Sequence, residues 1–331
     1  MARELLKVTD LSTHYAGFGG SRLVKAVDGV SFSLEEGQTI GVVGESGCGK
    51  TTLCLSLVRL LAPGAEIVGG SIELGGRDIL QLSEKEMVEV RGKEIAMILQ
   101  DPMTSLNPVI NIESQVGEAA RRHRGLKGVR LRDRVHDLLE SVRIPSPEVR
   151  MEEFPHQMSG GMRQRIAGAI ALSGTPGIII ADEPTTSLDV TIQAQYLDLL
   201  RRLQKETGVG LIFVTHDLGI VAKMCDEVIV MYAGKTVERG DVRGIFSAPN
   251  HPYTSALIRS VPKLGSKDPL YRIEGQPPDL SDLPKGCSFA SRCPIADEHC
   301  VSHEPPLMEI QSGRMAACWK AEENTMPEVA S

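Results

Sequence analysis

The fold is decided by one stretch, Ile40-Gly41-Val42-Val43-Gly44-Glu45-Ser46-Gly47-Cys48-Gly49-Lys50-Thr51-Thr52. Ile40–Val43 is a short apolar run suited to a buried strand, and from Thr51 to Leu61 the pattern turns helical until Pro63-Gly64 stops it. Between them residues 44–51, GESGCGKT, match GxxxxGK(S/T) in the strand–turn–helix setting that this pattern demands. Gly44, Gly47 and Gly49 let the backbone curl until its N–H groups converge on phosphate oxygens, and the following helix adds the positive end of its dipole. Lys50 is placed to reach the β- and γ-phosphates of a nucleotide and the Thr51 hydroxyl to ligate Mg2+. Glu45, Ser46, Cys48 and Thr52 complete the expected contacts. Cys48 fills a small-residue position, where oxidation would block the site. The loop alone does not choose adenine over guanine.

Further apolar runs, Ile95–Leu99, Gly177–Ala181 and Gly210–Thr215, read as strands buried on both faces, hence as a parallel sheet. Residues 190–207 carry a helical stripe, Ile192, Tyr196, Leu199, Leu200 and Leu203, ended by Gly208, which supplies the crossover such a sheet requires. Residues 1–48 read as strands, with Leu6, Val8 and Leu11 alternating. The run Gly177–Glu183, GIIIADE, delivers two acids to the carboxyl end of its strand: Asp182 for Mg2+ and Glu183 to polarise the attacking water. A solvated Asp-Glu at a strand end is the plainer reading of that pair, and the phosphate loop weighs against it.

Residues 102–157 are polar, Arg-rich and without β-runs, so a helical insertion is expected, its subdomain spanning about 102–168. From about residue 250 prolines accumulate and four of the seven cysteines appear. The expected division is therefore a main domain over 1–250 and a small C-terminal domain over 251–331. With a net charge of -7 the chain as a whole is not built for the nucleic-acid backbone. No run approaches the roughly 20 apolar residues of a membrane span, and the N-terminus has no signal-peptide core. A cytosolic chain is expected, whose cysteines are not a disulfide framework.

Met158-Ser159-Gly160-Gly161-Met162-Arg163-Gln164-Arg165 resembles the ABC signature sequence, usually written LSGGQ, and narrows a generic P-loop NTPase to the ABC family. Small residues at a helix start form another anion cradle, although Ser-Gly-Gly before a basic helix also reads as an ordinary N-cap. The resemblance implies that Ser159, Gly160 and Gly161 meet ATP held by an opposing subunit. It also implies that Gln100 senses Mg2+ and the γ-phosphate, and that His216 contacts the γ-phosphate. Asp189, in Ser187-Leu188-Asp189, would span the dimer interface, and Tyr15 would stack on adenine, with Phe18 as its competitor. The catalytic set is then Glu183, His216, Lys50 and Gln100, and the Mg2+ ligands Thr51, Gln100 and Asp182. The fold it implies is the α/β ABC-type P-loop NTPase: a mixed sheet core, the helical insertion and a small cysteine-bearing C-terminal domain.

Cys287, Cys293, Cys300 and Cys318 lack paired CxxC spacing, so four thiolates on iron–sulfur, on zinc, or on nothing all fit the spacing alone. Cys54 and Cys225 read as core residues. His251-Pro252-Tyr253-Thr254, Gly275-Gln276-Pro277-Pro278 and Arg292-Cys293-Pro294 resemble the C-terminal extension of oligopeptide and dipeptide importer ATPases, some of which carry a 4Fe-4S cluster on such cysteines. The implied function is ATP hydrolysis that drives peptide uptake. The implied partners are a second nucleotide-binding subunit, a paralogue or a second copy, two transmembrane permease subunits, and an extracytoplasmic binding protein that chooses the cargo. The subunit would lie on the cytoplasmic face of the membrane. The alternatives are a metal-binding tail serving redox or iron regulation, and uptake of nickel or other small solutes. An ABC ATPase acting on DNA or ribosomes would need a coiled-coil insertion or a second nucleotide domain, and the sequence has neither.

Overall fold

The computed structural model describes residues 3–17, 22–101, 105–186, 188–262 and 271–321. They fall into two compact units, one drawn from Met1–Leu5, Leu34–Gln38 and Asp78–Val214, the other from Leu6–Ser33, Thr39–Arg77 and Thr215–Ser331.

In the first unit the strands Ile95–Ile98, Ile178–Asp182 and Gly210–Val214 pair in parallel, with Ile95 opposite Ile178 and Asp182 opposite Val214. Every residue of the last two strands is buried, which is why they read as unbroken apolar runs rather than alternating ones. Each fully buried Ile or Leu contributes about 1.5–3 kcal/mol. Gly210 keeps its place because a Cβ there would lie 2.9 Å from Leu34 Cδ2. The crossover helix is Val190–Thr207, burying Tyr196, Leu197, Leu199, Leu200 and Leu203 and ended by Gly208 at φ 69°. The polar insertion is helical as expected, with helices Ile112–Arg124, Gly128–Ser141 and Pro147–Arg150 before Gly160–Ser173. A Cβ on Gly117 would sit 3.2 Å from Leu131 Cδ1, so a glycine lets the first two of these helices approach.

In the second unit the strand Thr39–Val43 runs parallel to Glu227–Tyr232, and Lys235–Asp241 pairs antiparallel with the latter, which makes the sheet mixed. Gly41 interrupts the apolar run because its Cβ would meet Cys225 Sγ at 3.0 Å and Val221 Cγ1 at 3.1 Å. A second sheet, ordered Leu23–Glu35, Glu4–Ala16, Ala65–Leu74 and Arg77–Asp78, accounts for the alternation read near the N-terminus. The helix after the phosphate loop is Lys50–Leu57, a turn shorter than the sequence pattern suggests. Arg59 at φ 52° ends it before Pro63 can.

The tail holds more regular structure than its prolines suggest. It contains the helices Pro252–Arg259 and Glu298–Ser302 and the strands Met308–Gln311 and Arg314–Ala316. Glu238 and Arg239 pair with Ala316 and Met315, so the last strand extends the sheet of its unit. Tyr253 and Phe289 share one apolar cluster with Val43, Val230 and Tyr232. Among the described residues, no helix is long and apolar enough to cross a membrane.

Candidate nucleotide-binding site

The phosphate loop is held by steric contacts that exclude side chains. A Cβ on Gly44 would lie 2.3 Å from the Met231 carbonyl oxygen and 2.6 Å from Cys48 Sγ. Gly49, at φ 104°, would press a Cβ to 1.9 Å from the Ala26 carbonyl oxygen, and it caps the helix Lys50–Leu57. Lys50 is 6% exposed. Its Nζ donates to the carbonyl oxygens of Gly44 at 2.8 Å and Glu45 at 3.0 Å, so an arriving phosphate competes with the loop's own carbonyls for the ammonium protons. Burial pushes the Cys48 thiol up, with Lys50 pulling the other way. Cys48 is therefore a protonated, slow-reacting group filling a small position. Thr51 is exposed on the first helical turn, where a hydroxyl can ligate a cation. Tyr15 Oη lies 3.3 Å from Thr52 Oγ1, which brings this aromatic beside the helix start. Phe18 lies outside the described residues.

Glu45 is anchored from the tail. Its N–H donates to Tyr253 Oη at 2.8 Å, and its carboxylate accepts from Arg292 Nη1 at 2.7 Å and Nη2 at 2.9 Å. In the same unit His216 is exposed after the strand end. The backbone around it is set by Asp217, whose Oδ1 accepts from Gly219 N at 2.8 Å and whose own N–H donates to Thr215 Oγ1 at 3.0 Å.

The first unit holds the acids. Asp182 ends its strand at 2% exposure. Glu183 follows in left-handed conformation, φ 44°, which is costly for a residue with a Cβ and turns its side chain out of the strand's alternation. Its Oε2 accepts from Gln100 Nε2 at 3.1 Å and from Thr186 Oγ1 at 2.9 Å, so two expected site residues 83 positions apart meet. Ser159 and Gly160 are exposed at the start of the helix Gly160–Ser173, with Ser159 Oγ accepting from Met162 N at 3.3 Å. The N-cap reading and the outward-facing cradle therefore coexist. Asp189 caps the crossover helix, accepting from Thr191 N at 3.1 Å and Ile192 N at 3.0 Å. Ser187 is outside the described residues.

Cys287, Cys293, Cys300 and Cys318 line one cavity beside Phe289 and Trp319. Burial pushes the thiols of Cys287 and Cys293 up and that of Cys318 up to about 11, each raised further by its neighbouring cysteines. A cation at this place would reverse that preference by holding them as thiolates. Among the described residues no three of these sulfurs lie mutually within 4.8 Å. One tetrahedral zinc, with Zn–S of about 2.3 Å, would need them at about 3.8 Å.

Residues 27–186 match the family model described as ABC transporter, and residues 237–300 match that of the oligopeptide/dipeptide transporter, C-terminal region. The chain is 48% identical to the probable peptide ABC transporter ATP-binding protein y4tR of Sinorhizobium fredii, over 96% of each chain. It belongs to the ATP-binding subunits of the ABC transporter family. The oligopeptide transport ATP-binding protein OppD of Salmonella typhimurium is 45% identical, with 98% of this chain and 96% of that one covered. The dipeptide transport ATP-binding protein DppD of Bacillus subtilis is 46% identical over 99% and 98%. Among solved structures, the dimeric post-hydrolysis state of the ATP-binding cassette MJ0796 bound to ADP and Pi matches with a TM-score of 0.64 and 26% identity, covering 72% of this chain and 99% of that one.

As an ABC subunit the chain is an ATPase with an α/β cassette fold, as its motifs imply. Tyr253 and the carboxylate-binding role of Arg292 were not legible as site residues, because they lie 208 and 247 positions from Glu45. The one available signal was an acid at a variable position of the phosphate loop.

Proposed function

We propose that this ABC subunit powers the uptake of di- or oligopeptides across the cytoplasmic membrane, bound to the inner face through permease subunits. The observation that supports this most is likeness along nearly the whole chain, tail included, to ATP-binding subunits named for peptide, oligopeptide and dipeptide transport. The phosphate loop and Lys50 bind the phosphates, and Tyr15 stacks on adenine. Glu183, its carboxylate oriented by Gln100 and Thr186, accepts a hydrogen bond from the attacking water. As that water's oxygen bonds to the γ-phosphorus, the bond to the β–γ bridging oxygen breaks and ADP leaves. His216 and Gln100 report whether the γ-phosphate is present.

Thr51, Gln100 and Asp182, the Mg2+ ligands that the family resemblance implies, each carry an oxygen donor of the kind a hard cation takes, and the ion would neutralise phosphate charge. Ser159, Gly160, Gly161 and Asp189 face a second nucleotide-binding subunit, whose ATP the exposed helix start completes. A binding protein outside the membrane chooses the cargo. The test is ATP-dependent uptake of labelled di- and hexapeptides in cells with and without this subunit. Peptide uptake is expected to vanish with it; loss of nickel or other solute uptake alone would overturn the reading.

The four cysteines share one cavity, and the reading we favour for them is a 4Fe-4S cluster held by four thiolates. Anaerobic purification should yield near-stoichiometric iron and sulfide, lost in Cys293→Ser. Zinc, or no metal, would reject the cluster.

A further inference from the structure

We propose that Arg292 is a positioning residue for the phosphate loop, which makes the cysteine-bearing tail part of the nucleotide site. The inference rests on reading residues 44–51 as that site. Arg292 presents a parallel fork to Glu45, with Nη1 donating to Oε2 at 2.7 Å and Nη2 to Oε1 at 2.9 Å. Its side chain is 3% exposed and that of Glu45 25%, so the pair is more sheltered than an ordinary surface ion pair. Two further donors are also committed, Nε to the Glu274 carbonyl at 2.9 Å and Nη1 to Tyr232 Oη at 3.2 Å. One guanidinium orientation satisfies all of these contacts.

Glu45 is the link to phosphate chemistry. Its carboxylate is held by Arg292, its N–H by Tyr253 Oη at 2.8 Å, and its carbonyl oxygen takes Lys50 Nζ at 3.0 Å. Both anchors come from the tail. A shift of Arg292 therefore moves the carbonyl that sets where the Lys50 ammonium rests. Arg292 in turn rides on a short turn fixed between two cysteines: Ala290 N donates to Cys287 O at 2.9 Å and Cys293 N to Ala290 O at 3.3 Å. A rearrangement at the cysteine cavity thus has a route of three residues, Arg292, Glu45 and Lys50, into the loop.

A merely structural Arg292 would hold the tail down without touching ATP affinity, so the test is a double-mutant cycle on equilibrium ATP binding by the full chain. Arg292→Ala is expected to weaken ATP binding about tenfold and to raise KM more than it lowers kcat. In the Glu45→Ala background the same change should add less than about twofold. Arg292→Lys keeps the charge but not the fork, and should fall between wild type and Arg292→Ala. If Arg292→Ala does not fold, Arg292→Lys decides, because wild-type affinity in that variant overturns the inference. So does wild-type affinity in a folded Arg292→Ala, or a full tenfold loss repeated without Glu45. A wild-type chain that binds no ATP in the same assay sinks the nucleotide reading itself and this inference with it. Binding by the wild type with no change in the variants sinks the inference alone.

Discussion

Two glycine-rich helix starts, Gly44–Lys50 and Ser159–Gly161, present the same backbone chemistry and are built in opposite ways. At the first, glycines are wedged against the Met231 and Ala26 carbonyls, and a buried Lys50 brings its own charge to the loop mouth. At the second, Ser159 caps its helix, and a Cβ on Gly160 would meet nothing within 4 Å. The nearby cation Arg163 is spent on the Pro155 carbonyl at 2.8 Å. One cradle is supplied with cation and walls from within the chain; the other offers N–H groups to whatever comes from outside. On the proposed function, a subunit built this way would bind ATP by itself and turn it over with a partner.

The largest effect expected from this division falls on neither cradle but on Glu183, the acid proposed to orient the attacking water. Glu183→Gln should lower turnover by about 10²–10⁴-fold while leaving equilibrium ATP binding close to wild type, measured as phosphate release beside nucleotide titration. Weakened binding with little loss of turnover would place Glu183 outside the chemistry. The next contrast lies within the second cradle, where Gly161 differs from Gly160 because its Cβ would press to 2.8 Å from Ile192 Cγ2. Gly161→Ala should therefore destabilise the chain by about 1–3 kcal/mol, read from denaturant midpoints, whereas Gly160→Ala should not.

Legibility followed the range of the interactions. The phosphate loop, the acid-ending strand and the crossover helix declare themselves locally, because their chemistry needs particular residues at fixed spacing and their burial leaves continuous apolar runs. The helix Lys50–Leu57 was read too long because Leu60 and Leu61 continue the pattern, while the backbone at Arg59, φ 52°, does not. The tail was hardest to read. Its strand Arg314–Ala316 is three residues long and takes its register from Glu238 and Arg239, so no local periodicity marks it. Glu238 itself is 1% exposed and accepts from Asn250 N at 2.7 Å and His251 N at 3.0 Å, fixing the approach to the helix that carries Tyr253. Burial raises the pKa of that carboxyl and lowers that of His251 to about 3, so His251 stays neutral and caps the same helix.

The difference between a cradle completed within the chain and one completed from outside is tested most directly by Gly160→Ala, a change that this chain's own fold accommodates. ATP affinity and the denaturant midpoint should stay at wild-type values, while turnover in the assembled transporter falls about tenfold or more, because an extra methyl stands where a partner's nucleotide is proposed to approach. Unchanged turnover, or a loss of ATP affinity in the isolated chain, would contradict the account.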